Sequence, residues 1–425
     1  MLNLIILSKP GNAMNYGIGT YARHLEAGLI NTGKVHVHVP VIEDRGHKEF
    51  TVEEKGKNLT YYYMPLPAEL KDTGNYKSEM YVKYAGIIVS YLHDILSRIS
   101  GAVLHVNHFH CTEIVKKIKE NFNFPVVSVV HYTMWQFLLK GNQKWLDAIW
   151  SKNGHNNELS ENDKNALVFC RDEKEFYHLA DRIITVTGYM NDFIHNYYGI
   201  EKDKIHTVYN GIDLGTFKDY DEKSKNEIKQ RWYIGENEKV ILFNGRLDNQ
   251  KGLYYLLEGF RELLRQNPNC RLFAVGDGSF KTYLKHSAEI WSKVSFTGYI
   301  DFGLIKQLYK IADIGIIPSV YDHCPYVALE MMLNKIPLVI SNIEGLNEIF
   351  LPGLDCLVIN PSYTKEGNLF FEKDEMAKNM YKLLNNAELA NKLAENAYIK
   401  VTEKFSVERM VAETVEVYHA ALKSG

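Results

Sequence analysis

Two basic residues in one short segment form the clearest candidate binding site in the sequence. Arg246 and Lys251 lie in the string NGRLDNQKG, residues 244–252, between a predicted strand and a predicted helix. Arginine offers a planar fork of donors and lysine a point charge, so that together they suit a diphosphate. Both could instead be solvated surface charges. A position at the carboxyl end of a parallel strand, where ligands of such sheets collect, favours binding.

Two carboxylates follow a later predicted strand. Asp322 lies in the entry loop, and Glu330, with seven residues between them, lies on a helix predicted to begin near Pro325. Free N–H groups in the first turn, where Tyr326 and Val327 fall, can bind an anion. Glu330 lies about two turns into the helix, too far from its N-terminus to take part in binding a phosphate. It can bind neutral hydroxyls instead, and a buried carboxylate needs such partners.

A glycine string, GIGTYA, follows the first predicted strand and opens a helix. Gly17 and Gly19 let backbone N–H groups approach an anion, which predicts contact with a phosphate or sugar diphosphate. A structural loop is one alternative. A dinucleotide-binding oxidoreductase is another, with Glu43 or Asp44 as the ribose-binding acid. The eight residues 9–16 before Gly17 argue against it, because that fingerprint needs a tight turn directly after the strand.

Other candidate residues also follow predicted strands. His131 and Asp277 occupy such positions, although a structural histidine and ordinary turn chemistry are the alternatives. The string HVNHFH, residues 105–110, suggests a metal site. Strand alternation would split its side chains between two faces and no acidic or cysteine cluster is nearby, so no metal is predicted. Serine-hydrolase and P-loop motifs are absent from the sequence.

The elements that position these residues form a repeated pattern. Short apolar runs rich in β-branched residues alternate with longer segments of helical period, which is typical of parallel strands joined by crossover helices. We therefore predict an α/β fold with two Rossmann-like, doubly wound parallel-sheet domains and a ligand-binding cleft between them. Strands are predicted near residues 3–7, 35–42, 59–64, 103–106, 126–130, 182–186, 205–209, 240–244, 271–275, 294–297, 314–317, 337–340 and 356–359.

The predicted domain boundaries follow from this pattern and from local charge. Residues 1–218 form the first domain and residues 236–405 the second. Residues 219–235, which are charged and poor in apolar side chains, form a linker. Residues 406–425 contain a final helix with one apolar stripe, which we expect to dock across the domains.

Composition limits the class of protein and its partners. The chain has 425 residues, 46% hydrophobic and 24% charged, which is ordinary for a globular protein of two domains. A net charge of −3 without a basic run argues against nucleic acid. Five widely spaced cysteines fit a reducing compartment, and neither a signal peptide nor a membrane span is evident. We expect a cytoplasmic protein, at most peripheral at the inner face of the membrane. The aromatic stretch 132–150 is either core, an acceptor groove or a membrane contact.

Taken together, these strings resemble the family-4 retaining glycosyltransferases of the GT-B fold, in which two Rossmann-like domains enclose a nucleotide-sugar. The resemblance covers most of the chain. Its motifs in the first half are the glycine string, His131 and residues 180–187. Those in the second half are residues 208–213, 245–247 with 251–252, 275–278, 296–299, 312–313 with 318–319, and 327–330.

The resemblance assigns roles by position. It implies an acceptor domain first and a nucleotide-sugar donor domain second. Arg246 and Lys251 would hold the donor diphosphate, with Asp322 and His131 near the donor sugar. The other implied donor-binding positions are Gly17 and Gly19 beside the diphosphate, Glu330 at the ribose hydroxyls, Asp277 near the base, and Gly245, Tyr326 and Val327.

The predicted function is transfer of a sugar from a nucleoside-diphosphate sugar to an acceptor hydroxyl, with retention and without a metal or other cofactor. The acceptor stays open among glycans, lipid-linked glycans, peptides and small molecules. Asp322 replaces the family's usual Glu, and Pro325 stands where Gly is common. These departures motivate a non-catalytic nucleotide-sugar or glycan binder as the alternative. A GT-B phosphorylase is a further rival.

Overall fold

The computed structural model describes residues 2–9, 17–70, 76–151, 159–217 and 222–423. The chain divides into two compact units. The N-terminal unit comprises Met1–Thr133, Val168–Gly211 and Val407–Gly425, and the C-terminal unit comprises Met134–Leu167 and Ile212–Ser406.

Most strands of the two parallel sheets are short and largely buried, as expected where helices cover both faces of a sheet. In chain order they are β1 (Leu2–Leu7), β2 (Val35–Asp44), β3 (Thr51–Glu54), β4 (Leu59–Pro65), β5 (Ala102–Val106), β6 (Val126–Val130), β7 (Arg182–Thr185), β8 (Ile205–Thr207), β9 (Lys239–Asn244), β10 (Cys270–Val275), β11 (Val294–Gly298), β12 (Ile314–Ile317), β13 (Leu338–Ser341), β14 (Leu357–Ile359), β15 (Pro361–Tyr363) and β16 (Leu369–Phe371).

Helices connect most of these strands. In chain order they are α1 (Gly17–Asn31), α2 (Glu79–Leu96), α3 (Thr112–Asn121), α4 (Met134–Leu138), α5 (Gln143–Ser151), α6 (Glu161–Leu179), α7 (Gly188–Tyr198), α8 (Glu222–Arg231), α9 (Leu253–Gln266), α10 (Phe280–His286), α11 (Phe302–Ile311), α12 (Tyr326–Leu333), α13 (Glu344–Asn347), α14 (Lys373–Asn385), α15 (Ala387–Lys404) and α16 (Val407–Leu422). No helix in the described ranges is both long and apolar enough to cross a bilayer.

The N-terminal unit is built on one sheet. Its strand order is β3-β4-β2-β1-β5-β6-β7-β8, and the pairs are parallel except for β3 with β4. Strands β5 and β6 are buried along their whole length. The final helix α16 belongs to this unit and packs against α1, β5, β6 and β7.

The C-terminal unit contains the second parallel sheet, with strand order β11-β10-β9-β12-β13-β14. Its central strand β9 carries the loop that leads into α9. Helix α9 buries Leu253, Leu256, Leu257 and Phe260, whose spacing of one to four residues forms a single apolar face. A separate antiparallel pair, β15 with β16, follows β14 in the chain.

The predicted fold class, two doubly wound parallel-sheet domains, is confirmed, and every predicted strand is present. The edge strand β3 and the pair β15–β16 were not predicted.

The compact units differ from the predicted domains at several points. Residues 212–217, which we assigned to the first domain, belong to the C-terminal unit. Residues 134–167, which we assigned to the first domain, belong to the C-terminal unit. Helix α8 occupies much of the predicted linker, whose residues 219–221 lie outside the described ranges.

Candidate functional site

The loop between β9 and α9 holds Lys251 in a defined position. Asp248 Oδ1 accepts the backbone N–H groups of Gln250 and Lys251, each at 3.0 Å. Gly252 follows in the left-handed region with φ 70°, and a Cβ there would lie 1.8 Å from the Pro318 carbonyl oxygen. Only glycine therefore lets this loop pack against the chain leaving β12.

Arg246 lies in the same loop and interacts with its neighbours. Its Nη2 donates to Gln250 Oε1 at 2.8 Å and lies 3.1 Å from Asp248 Oδ2. About one third of the arginine side chain is exposed, 35%. The guanidinium is thus oriented by the loop while part of it still faces solvent.

Lys251 and Asp322 form an ion pair across two loops of the C-terminal unit. Lys251 Nζ donates to Asp322 Oδ2 at 2.6 Å, and the Ser319 hydroxyl donates to the same oxygen at 3.0 Å. Asp322 Oδ1 accepts the His323 backbone N–H at 3.2 Å. A Cβ on Gly345 would lie 1.8 Å from the Asp322 carbonyl oxygen, so α13 closely supports this loop. The sequence separates the paired residues by 71 positions.

Helix α12 begins at Tyr326 with Pro325 as its N-cap residue, which agrees with the start predicted near Pro325. The first-turn N–H groups of a helix have no partner within the helix, and they carry the positive end of its dipole. Val327 lies in that turn. Asp322 precedes the N-cap by three residues, so the Lys251 pair lies close in sequence to this positive end.

Glu330 is connected to the end of β9 through Tyr309. The Tyr309 hydroxyl donates to Glu330 Oε2 at 2.5 Å, and Asn244 Nδ2 donates to the Tyr309 oxygen at 2.7 Å. Burial raises the pKa of the Glu330 carboxyl, and the Tyr309 hydrogen bond opposes that rise. Burial also raises the pKa of Tyr309 well above its usual value, so this hydroxyl remains a donor.

The segment Met134–Leu167 supports the Asp322 loop from the side. His323 Nε2 lies 2.8 Å from Gln136 Oε1, and both side chains are buried. Burial lowers the pKa of His323 to about 4, so the ring is neutral near pH 7. Asn142 Nδ2 donates to the Glu366 carbonyl at 3.1 Å. These two hydrogen bonds attach the segment to the C-terminal unit.

Asp277 lies in the loop after β10, beside the Arg246 loop. The Leu247 N–H donates to the Asp277 carbonyl at 2.8 Å, and the Gly245 N–H donates to the Val275 carbonyl at 3.0 Å. The Asp277 side chain is exposed and accepts the Gly278 N–H at 2.7 Å. Hydrogen bonding within the turn therefore accounts for the contact that this carboxylate makes.

The remaining predicted site residues belong to the N-terminal unit. His131 follows β6, where its Nε2 lies 2.9 Å from Asn107 Oδ1 and its ring packs on Tyr21 with centroids 4.6 Å apart. Burial lowers the pKa of His131 well below its usual value. Gly17 is the exposed first residue of α1, and Gly19 is buried in its first turn. Residues 10–16 before them lie outside the described ranges.

The structure thus gathers the predicted residues at the carboxyl ends of the strands in each unit. In the N-terminal unit these residues are Gly17, Gly19 and His131. In the C-terminal unit they are Gly245, Arg246, Lys251, Asp277, Asp322, Tyr326, Val327 and Glu330. Within the described ranges no three His, Cys, Asp or Glu residues cluster as a metal site.

Sequence reasoning missed Tyr309, Ser319 and Gln136 as partners of these residues. Tyr309 lies on the buried face of α11, where its spacing from Ile305 and Leu308 is that of ordinary core residues. Gln136 is a buried amide beside Trp135, within the aromatic stretch noted above. A polar residue in an apolar segment was the available signal, because a buried amide needs a partner.

Comparison with protein families gives two matches. A family model described as glycosyl transferases group 1 matches residues 224–400, and one described as glycosyltransferase family 4 matches residues 16–216. Together they cover most of the chain and confirm the resemblance named from the motifs.

Individual relatives and solved structures agree with this assignment. An uncharacterized glycosyltransferase of Methanocaldococcus jannaschii is 32% identical over 247 residues, which are 57% of this chain and 60% of the relative. Alpha-D-kanosaminyltransferase of Streptomyces kanamyceticus is 25% identical over 58% of this chain and 62% of that enzyme. The match therefore spans less than two thirds of either relative.

Among solved structures, a sucrose-phosphate synthase from Thermosynechococcus elongatus superposes with a TM-score of 0.74 at 16% identity, covering 100% of both chains. Anabaena HepE in complex with UDP-glucose superposes with a TM-score of 0.69 at 16% identity, covering 98% of this chain and 99% of HepE. At such identities these likenesses support the GT-B fold. The chain belongs to the group 1 glycosyltransferases, and its first half matches glycosyltransferase family 4.

Proposed function

We propose that the protein transfers a sugar from a nucleoside-diphosphate sugar to an acceptor hydroxyl, with retention at the anomeric carbon and without a metal. One observation carries the proposal. Asp322, the ion-pair partner of Lys251, lies three residues before the N-cap of α12, and Arg246 lies in the same loop as Lys251. Two cations and a positive helix end form a fixed site for a diphosphate.

The diphosphate is the leaving group, and its negative charge grows as the bond to the sugar breaks. Arg246 and Lys251 oppose this charge, and they do so without reorganising because their loop is held by Asp248 and Gly252. This fixed positive charge motivates the proposal that no metal is needed. Asp322 orients the lysine ammonium through the 2.6 Å bond.

Glu330 is proposed to bind the ribose of the donor. Tyr309 donates to its Oε2, so that Oε1 can accept hydrogen bonds from two neighbouring hydroxyl groups. Glu330 is partly buried, and a carboxylate shielded from water is costly unless it has such partners. The Asn244–Tyr309 bond ties this contact to β9, the strand that also carries the Arg246 loop.

The proposed reaction occurs on one face of the sugar. The glycosidic C–O bond to the diphosphate breaks, the acceptor oxygen forms the new bond to the same carbon, and a phosphate oxygen takes the acceptor's proton. No electrons are gained or lost, and the products are the glycoside and a nucleoside diphosphate. This route does not require the pair of closely spaced carboxylates that double displacement uses.

A donor screen tests the proposal. UDP-glucose is the first donor to examine, because Anabaena HepE has been solved with it, and other uridine, guanosine and adenosine diphosphate sugars follow. Reactions contain excess EDTA, and the anomeric configuration of each product is read by proton NMR.

Transfer or donor hydrolysis in EDTA with a retained configuration supports the proposal. An inverted product refutes retention, and activity only after a divalent cation is added refutes metal independence. Saturable binding of nucleotide-sugars without any turnover refutes catalysis and favours the non-catalytic binder suggested by Asp322 and Pro325.

A further inference from the structure

Four side chains of the N-terminal unit form a continuous series of hydrogen bonds that ends on His131. The Tyr418 hydroxyl lies 2.7 Å from His105 Nδ1, and His105 Nε2 lies 3.2 Å from Asn107 Oδ1. The same amide oxygen lies 2.9 Å from His131 Nε2. Tyr418 and His105 are fully buried and Asn107 is 9% exposed. The series therefore runs through the core from α16 to the turn after β6.

Burial fixes the charge of both histidine rings. It lowers the pKa of His105 to about 4 and that of His131 well below its usual value. A proton on His108 or on His105 would lower the pKa of His131 further. Both rings are therefore neutral near pH 7, and each carries a single N–H.

The shared amide oxygen decides which nitrogen of each ring carries that hydrogen. A carbonyl oxygen has two lone pairs, so Asn107 Oδ1 accepts one bond from each Nε2–H. His105 Nδ1 is then an acceptor, which matches the Tyr418 hydroxyl as its donor.

The reverse amide orientation fits less well. The Asn107 NH2 group would donate to both Nε2 atoms, and His105 would carry its hydrogen on Nδ1. The hydrogen of the fully buried Tyr418 hydroxyl would then lose His105 as its acceptor, which is costly in a buried site.

We propose that Asn107 is a positioning residue that holds His131 in its Nε2–H tautomer and thereby presents Nδ1 as a hydrogen-bond acceptor to a hydroxyl group of a bound sugar. The edge-on packing of His131 against Tyr21, with the rings at 70°, restricts ring rotation. The identity of the hydroxyl rests on the proposed function, but the tautomer does not. An acceptor nitrogen favours a hydroxyl over a phosphate oxygen, since only the hydroxyl can donate.

NMR tests the tautomer directly. The full-length protein is labelled with 15N-histidine, long-range proton–nitrogen spectra are recorded near pH 7, and His131→Gln assigns the signals of His131. We expect a protonated Nε2 and an unprotonated Nδ1. The opposite pattern, or a doubly protonated ring, overturns the proposal. This experiment needs no substrate, so it gives an answer even if no donor is turned over.

Variants at Asn107 separate positioning from a merely structural role. Asn107→Leu removes the acceptor, and we expect mixed tautomers of His131 and a decrease in kcat of about tenfold. Asn107→Asp keeps an acceptor oxygen, so it should restore the Nε2–H tautomer, recover most of kcat and raise the pKa of His131. Asn121→Leu, an exposed site on α3, is the matched control and should change neither the tautomer nor kcat.

Two results would contradict a positioning role for Asn107. If Asn107→Leu leaves the His131 tautomer as in the wild type, Asn107 does not set it. If the leucine and aspartate variants lower kcat and thermal stability equally, the amide has a structural role only.

Discussion

Replacing Lys251 with alanine should lower kcat/KM for the donor by about 10² to 10³. The wild-type ammonium is held 2.6 Å from Asp322 Oδ2, and the lysine side chain is 24% exposed. Two unit charges about 4 Å apart interact by about 4 kcal/mol at an effective dielectric constant of about 20. That energy corresponds to nearly three orders of magnitude, and the neighbouring carboxylate offsets part of it.

Folding should survive the substitution. The Lys251 backbone N–H keeps its bond to Asp248, and Asp322 keeps the Ser319 hydroxyl and the His323 N–H. We expect the free energy of unfolding to fall by about 1–2 kcal/mol, because a partly buried carboxylate loses its cation. Urea denaturation therefore accompanies the kinetic assay.

Lys373→Ala is the matched control for charge. Its ammonium lies 2.7 Å from Glu262 Oε1 in the same unit, and the lysine side chain is 46% exposed. Steady-state rates with the best donor are compared at equal concentrations of folded protein. We expect kcat/KM of Lys373→Ala to stay within about twofold of the wild type. Wild-type turnover by Lys251→Ala would refute the placement of the diphosphate at this loop.

Three further predictions concern binding, packing and pH. Glu330→Gln should weaken nucleoside binding about tenfold or more, measured by calorimetry, whereas equal affinity for 2′-deoxyribose and ribose nucleotides in the wild type would refute ribose contact. Gly252→Ala should lower the free energy of unfolding by about 3 kcal/mol or more, since its Cβ meets the Pro318 carbonyl, while Gly86→Ala, with open space around it, should not. Burial lowers the pKa of His105 and His323 from 6.5 to about 4, so the unfolded chain binds more protons in that interval. Stability should therefore fall as the pH drops from about 6.5 to 4, by up to about 3 kcal/mol for each residue, and pH-independent urea midpoints there would contradict this.

The central strands and the charged residues of the site were predictable from the sequence because they depend on local patterns. Apolar runs such as β9 and β12 are buried on both faces, and their ends identify the loops that carry Arg246, Lys251 and Asp322. The start of α12 was predictable from Pro325, because proline is tolerated at a helix start.

Contacts between distant segments were not predictable. The Lys251–Asp322 bond joins residues 71 positions apart, and the His323–Gln136 bond joins residues 187 positions apart. Neither position shows in its local pattern which partner it meets. The pair β15–β16 was missed for a related reason, because strands of three residues have too few side chains to establish a period.

In the HVNHFH string, the alternation of side chains along a strand was applied to the histidines but not to the asparagine between them. His105 lies on β5 and Asn107 is the first residue after it. Continued alternation places these two residues on the same side, and they are hydrogen-bonded at 3.2 Å. We considered the string only as a possible metal site. The amide between the histidines, rather than the histidines alone, connects this strand to His131.

The most direct measurement is a crystal structure of the protein with a bound, non-hydrolysable nucleoside-diphosphate sugar. It should place the diphosphate oxygens within hydrogen-bonding distance of Lys251 Nζ, Arg246 and the first-turn amides of α12, with the ribose hydroxyls on Glu330. A diphosphate bound elsewhere in the protein, with Lys251 still paired only to Asp322, would contradict it.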